Sequence, residues 1–120
     1  MRSLRFLVSL VPFRHCIVRG ESMLPQYVPG THLIVFGRLL VRTFSLGDVV
    51  ILCRPEKETL SLVKRITGLP GDTVLVRGAL YRLGEDEYFV EGDFKGKSQD
   101  SRAWGPLPKS SIIGKVVYAG

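Results

Sequence analysis

The chain has 120 residues, enough for one domain, and its 45% apolar and 23% charged content is that of an ordinary globular protein. That composition excludes a disordered or collagen-like chain, and two cysteines without a CxxC pair argue against a disulfide scaffold or a zinc module. Seventeen basic against eleven acidic residues give a formal charge of +6, which suits nucleic acid, an anionic membrane or an acidic partner.

The N-terminus carries the apolar run Phe6-Leu-Val-Ser-Leu-Val-Pro-Phe13, with Arg2 and Arg5 before it and Arg14 and His15 after it. It is too short for a membrane-spanning helix, which takes about 20 apolar residues, and no small-residue cleavage site follows it. Residues 1–18 read as a tail or first strand, or as a short membrane-surface anchor with its arginines at the headgroups. Residues 19–120 form the predicted domain.

Short apolar or alternating runs then recur between turn signals. The predicted strands are Cys16–Arg19, Leu33–Phe36, Val49–Cys53, Leu60–Thr67, Thr73–Arg77, Tyr88–Glu91 and Ile112–Tyr118, with nothing expected after the last. Breaks such as Pro29-Gly30, Leu46-Gly47-Asp48, Pro70-Gly71-Asp72 and Gly92-Asp93 separate them. The pattern predicts a mostly-β fold of short strands. Only Arg38–Ser45 has room for a short helix, and Pro55–Glu58 and Glu85–Glu87 read as solvated turns. Cys16 and Cys53 lie among apolar residues and read as core or near-core thiols. His15 and His32 lack metal-ligand spacing, His32 reads as a surface or rim residue, and the sequence offers no metal or cofactor site.

One strand breaks the alternation in an informative way. In Leu60-Ser-Leu-Val-Lys-Arg-Ile-Thr67, side chains two apart share a face, so Lys64 points where Leu60, Leu62 and Ile66 point. Such a lysine either snorkels from the edge of the apolar face or is desolvated, with a lowered pKa, and serves as a neutral base. A base needs a nucleophile, and Gly20-Glu-Ser-Met-Leu-Pro25 offers Ser22 on a tight turn, where hydroxyl and backbone N–H can face one substrate. Taken alone, Ser22 is an ordinary turn residue, and it gains meaning beside Lys64.

Three segments now stand in order: Gly20-Glu21-Ser22-Met23-Leu24-Pro25, Val63-Lys64-Arg65-Ile66-Thr67-Gly68-Leu69-Pro70-Gly71-Asp72, and Gly92-Asp93 followed by Ser98-Gln99-Asp100-Ser101-Arg102. Together they resemble the signal peptidase I family of Ser–Lys peptidases, over about Arg19 to Tyr118. The resemblance implies a signal-peptidase-like fold of short antiparallel strands with little helix. It also implies a serine endopeptidase that removes N-terminal signal or leader peptides from precursor proteins at a membrane surface. Carried over by motif position, Ser22 is the nucleophile and Lys64 the general base and then acid. Ser98 orients the lysine amine, Asp100 and Arg102 form a supporting ion pair, and Gly20, Met23 and Pro25 shape the binding turn. Family substrates are extended and pair with a sheet edge. No cofactor or metal is implied. The implied place is the outer face of a cytoplasmic or mitochondrial inner membrane.

The match departs from the family in places. The family's side-chain oxyanion donor position is Gly20, its G-D-N reads Gly92-Asp93-Phe94, and the threonine after S-M-x-P is Gln26. The chain is also small, closer to the mitochondrial inner-membrane protease subunits or to the maturation peptidase of nickel-type superoxide dismutase. A dedicated maturation enzyme of the latter kind would be cytoplasmic. A self-cleaving repressor-type protease lacks support, since neither a cleavage segment nor a DNA-binding domain is visible. A scaffold with the peptidase fold but no activity sits poorly with both reactive residues being present. A basic β-barrel that binds single-stranded nucleic acid is the non-enzymatic rival. Its aromatics are scattered without a ribonucleoprotein-type motif, so nucleic acid is not an expected partner.

Overall fold

A computed structural model describes residues 12–54 and 57–120. It is built from antiparallel strands: β1 (Phe13–Ile17), β2 (His32–Gly37), β3 (Val49–Arg54), β4 (Lys57–Gly68), β5 (Thr73–Val76), β6 (Ala79–Arg82), β7 (Phe89–Glu91) and β8 (Ile112–Ala119). Six of these form one sheet in the order β1-β2-β8-β3-β4-β7, and β5 and β6 form a separate hairpin. This is the mostly-β, signal-peptidase-like fold that the sequence predicts, with helix confined among the described residues to α1 (Ser101–Trp104) and two short 3-10 turns.

The central strand β3 shows why the sheet is two-sided. Its run Val49-Val-Ile-Leu52 is continuous rather than alternating, the mark of a strand covered on both faces. Val50 and Leu52 join Ile66, Val90, Leu107 and Ile112 in one buried cluster, where Phe44 meets Tyr88 edge to face at 6.0 Å. Ile51, between them in sequence, joins Val18, Leu33 and Val35 in a second cluster. Each fully buried aliphatic side chain contributes roughly 1.5–3 kcal/mol, so both faces carry the fold.

Several elements differ from the sequence reading: β1 is Phe13–Ile17 rather than Cys16–Arg19, β4 starts at Lys57 within the stretch read as a turn, and α1 was not expected. Arg38–Ser45 holds no helix: Leu40 and Val41 both donate their N–H to the Gly37 carbonyl at 3.0 Å, and the chain then runs irregularly to Phe44. β6 was not foreseen. It follows a two-residue turn in which Arg77 (φ 50°) and Gly78 (φ 82°) both take the left-handed conformation of a type I′ hairpin. Every side chain of β6 is exposed, so no alternation marks it in the sequence.

The described part of the N-terminal stretch enters the sheet. Phe13–Ile17 pairs with β2 from Phe13↔Phe36 to Ile17↔His32, and Val18 is buried. The tail or anchor read for residues 1–18 lies, over residues 1–11, outside the described residues. No helix among the described residues is long and apolar enough to cross a membrane. Cys16 packs against the second cluster, and Cys53 is half-buried beside Ser61. His15 and His32 stack on the exposed face of β1 and β2, with Nε2 and Nδ1 2.7 Å apart.

Candidate active site

β4 delivers the lysine. Paired with β3 through Val50↔Lys64 and with β7 through Arg65↔Glu91, it is fixed in register on both sides. That register turns Lys64 toward the face of Leu62 and Ile66 and leaves it 3% exposed. Lys64 therefore does not snorkel out. Burial pushes its amine below the usual lysine range; the Asp100 charge opposes this and the Arg102 charge adds to it.

Three groups define the surroundings of the amine. Lys64 Nζ donates to Ser98 Oγ at 3.0 Å. Ser98 Oγ also accepts from the Gly92 N–H at 3.1 Å and donates its own hydrogen to Asp100 Oδ2 at 2.7 Å. Asp100 is 1% exposed and receives the Gly92 N–H at 2.9 Å as well. Arg102 grips it as a fork, Nε to Oδ1 and Nη2 to Oδ2, both at 2.9 Å. Burial alone would raise the Asp100 carboxyl, but the hydrogen bonds from Arg102, Gly92 and Ser98 outweigh it and hold the group below the usual carboxylate range. Asp100 is also the N-cap of α1, accepting from the Arg102 N–H at 3.1 Å, so five hydrogen bonds seat one carboxylate.

Ser22 reaches the same place from the turn between β1 and β2. Gly20 (φ 77°) redirects the chain, Leu24 N–H closes on Glu21, and Tyr27 N–H on Met23. Met23 is 1% exposed and pins the turn from below, while Pro25 is exposed after a cis peptide bond. The Ser22 carbonyl accepts the Phe94 N–H at 2.8 Å. Phe94 stands where the resemblance expects an asparagine, so a backbone group ties this loop to the serine turn. A Cβ at Gly92 would overlap Ser98 Oγ and lie 2.7 Å from the Ser22 carbonyl, so only glycine lets these two segments meet. The Ser22 hydroxyl makes no hydrogen bond to another described residue; Lys64 donates to Ser98 instead.

Sequence reasoning missed part of the support. Arg65, next to Lys64 but on the opposite face, holds Asp93 in a bidentate pair at 2.9 Å and donates to the Gly47 carbonyl at 2.8 Å. This clamp fixes the Gly92-Asp93 turn beside the amine. Glu91 adds a second carboxylate 3.6 Å from Arg102 and accepts the Thr67 hydroxyl at 2.8 Å. The available signal is the Gly92-Asp93 pair itself, which the sequence presents as a turn and as part of a motif. Among the described residues, no group of three or more His, Cys, Asp and Glu side chains is placed to hold a metal ion.

The sequence that builds this arrangement is similar to those of known proteins. Residues 3–83 and 79–119 match the family described as "Signal peptidase, peptidase S26". The chain is 31% identical to mitochondrial inner membrane protease subunit 1 of Saccharomyces cerevisiae, over 99% of this chain and 74% of that protein. It is 34% identical to subunit 2 from Schizosaccharomyces pombe, over 83% of this chain and 60% of that protein. It is 33% identical to signal peptidase I P of Bacillus subtilis subsp. natto, over 91% and 77%. With the match running through the serine turn, the lysine strand and the Ser98–Arg102 loop, the chain belongs to the signal peptidase family, peptidase S26.

Proposed function

We propose that Ser22 and Lys64 form the catalytic dyad of this serine endopeptidase, which removes signal peptides from precursor proteins. The observation that carries the dyad is the saturation of Ser98. Its one hydrogen goes to Asp100 and its oxygen accepts from Lys64 and Gly92. Lys64 must therefore give a hydrogen to Ser98, and the lone pair of the neutral amine is left free for another hydroxyl. The hydroxyl on offer is that of Ser22.

Neutral Lys64 takes the Ser22 proton as Oγ attacks the scissile carbonyl. The backbone N–H of Ser22 donates to the developing oxyanion, an interaction worth about 3 kcal/mol where such a donor has been removed. Lys64 then gives its proton to the leaving amine, and an acyl-enzyme remains on Ser22. Water, activated by the same amine, releases it. Asp100 and Arg102 act at one remove by holding Ser98.

The substrates are precursors with N-terminal leader peptides, cut at a membrane surface. We place the site on the outer face of a cytoplasmic or mitochondrial inner membrane. Relatives named as protease subunits support a complex with a second protein. The test compares wild type, Ser22→Ala and Lys64→Ala on an export precursor with a small-x-small site and on a soluble precursor with a short N-terminal extension. Cleavage of the first, lost in both variants, supports the proposal. Cleavage of only the second assigns dedicated maturation, and unchanged cleavage by either variant removes the dyad.

A further inference from the structure

A second feature lies outside the Ser–Lys site. The turn after β2 and the chain before β8 enclose a cleft of about 460 Å³, to which Ser22, Lys64, Ser98 and Asp100 contribute nothing. Its floor includes Val41, Phe44 and Ile112, and its rim carries Arg38, Arg42 and Lys109 against one carboxylate, Asp86. Arg38 is held by the carbonyls of Ile112 and Ser110, and Lys109 Nζ by the Arg42 carbonyl, so two cations are fixed in place without neutralisation. The Asp86 carboxylate is turned to the Lys109 backbone N–H at 3.2 Å. The Arg42 guanidinium has no hydrogen bond or ion pair with another described residue.

Between the two arginines stand Leu39 and Leu40, 52% and 53% exposed. Two leucines flanked by cations form a surface that enters the acyl boundary of a bilayer while the charges stay with the headgroups. The N-terminal stretch begins at the same place. The Pro12 carbonyl accepts the Gly37 N–H at 2.8 Å, one residue before Arg38. The sequence preceding Pro12 is the apolar run with Arg2 and Arg5.

We propose that the Arg38–Arg42 loop and Lys109 form a docking site for anionic phospholipid headgroups, with Leu39 and Leu40 inserted between the lipids. The proposal rests on the membrane reading above and names the surface that makes the contact. Charge complementarity and the exposed leucine pair select a lipid surface over a dissolved phosphate, which would need no apolar contact. Salt weakens the headgroup contact by screening.

Co-sedimentation of the full chain with vesicles of phosphatidylcholine, with and without phosphatidylglycerol, tests it. Wild type binds the anionic vesicles more tightly. Arg42→Gln/Lys109→Gln binds them about thirtyfold more weakly, the loss expected for two surface cations, and no longer distinguishes the two vesicles. Leu39→Ser/Leu40→Ser loses binding to both. Each variant cleaves a soluble peptide at the wild-type rate, so failure of the peptidase reading would show separately, as absent cleavage in the wild type. Equal binding by wild type and both variants overturns the proposal. So does loss confined to Arg2→Gln/Arg5→Gln, which would assign the contact to the N-terminus. Displacement of protein from vesicles by inorganic phosphate, with the leucine variant binding normally, would make the site a free-phosphate site and overturn it equally.

Discussion

Removing the Ser98 hydroxyl isolates the orientation of the lysine from its chemistry. Ser98→Ala takes away the partner of Lys64 Nζ, yet it strands no other group. The Gly92 N–H keeps Asp100 Oδ2 at 2.9 Å, and Asp100 keeps Gly92 and the Arg102 fork. The group left unpaired is the Lys64 amine itself, which is buried, so the stability cost is about 1–3 kcal/mol. The effect on rate is larger. A lysine side chain carries about 2 kcal/mol of rotamer entropy, and losing the bond that holds its tip returns much of it. Adding about 1 kcal/mol for the bond itself gives about 3 kcal/mol in the barrier, or a kcat lower by about a hundredfold. Because Ser98 orients the base and binds no substrate in this scheme, KM stays within a factor of about two. Steady-state cleavage of a synthetic precursor peptide, read as separate kcat and KM, measures this, and thermal melting confirms the fold. A variant that melts near wild type and keeps kcat within twofold would refute the orienting role of Ser98.

Other consequences are open to direct measurement. In the proposed mechanism Lys64 acts neutral, and burial lowers its pKa, so kcat/KM rises with pH along an acidic limb that lies below the ordinary lysine value of about 10.4; a limb at that value would contradict the buried base. Lys64→Met abolishes cleavage but is more stable than wild type at neutral pH by about 2 kcal/mol. The unfolded chain binds the lysine proton more tightly than the folded one, so wild type gains stability as pH rises between the two pKa values, and denaturant titrations should show the gap closing. Gly92→Ala drives a methyl into Ser98 and the Ser22 carbonyl, and cleavage falls at least a hundredfold while circular dichroism stays β-like. Arg65→Lys keeps the charge but loses the fork to Asp93, costing about 1–3 kcal/mol in urea unfolding and lowering kcat less than Ser98→Ala does.

The placement of Lys64 was legible because strand alternation is a local rule, and a lysine in register with Leu62 and Ile66 stands out on one line of sequence. The strands β2, β3, β4 and β8 were legible for the same reason. The helix at Ser101–Trp104 was not, since four residues hold no period and its start is fixed by a capping carboxylate that also serves the site. The same limit hid the Arg65–Asp93 clamp. Its partners are 28 residues apart, and only the pairing of β4 with β7 brings them together. Strand β5 was legible as Thr73–Arg77, but its partner β6 escaped because neither a buried face nor a familiar turn dipeptide announces it.

Lys64 and Arg65 are neighbours in sequence but occupy opposite faces of β4. A slip of β4 by one residue would turn each to the other face, presenting a guanidinium where the proposed base stands, and arginine cannot lose its proton in a protein. Chemistry and strand register are thus one specification. Insertions in the loops at either end of β4 are compatible with the enzyme, whereas a single added residue within the strand erases the base without removing a single lysine from the gene product. Two added residues would restore the facing but shift the amine by about 6.6 Å, beyond reach of Ser98. The strand is in this sense a ruler, and the distance it measures is the one between a lysine and the loop that makes it useful.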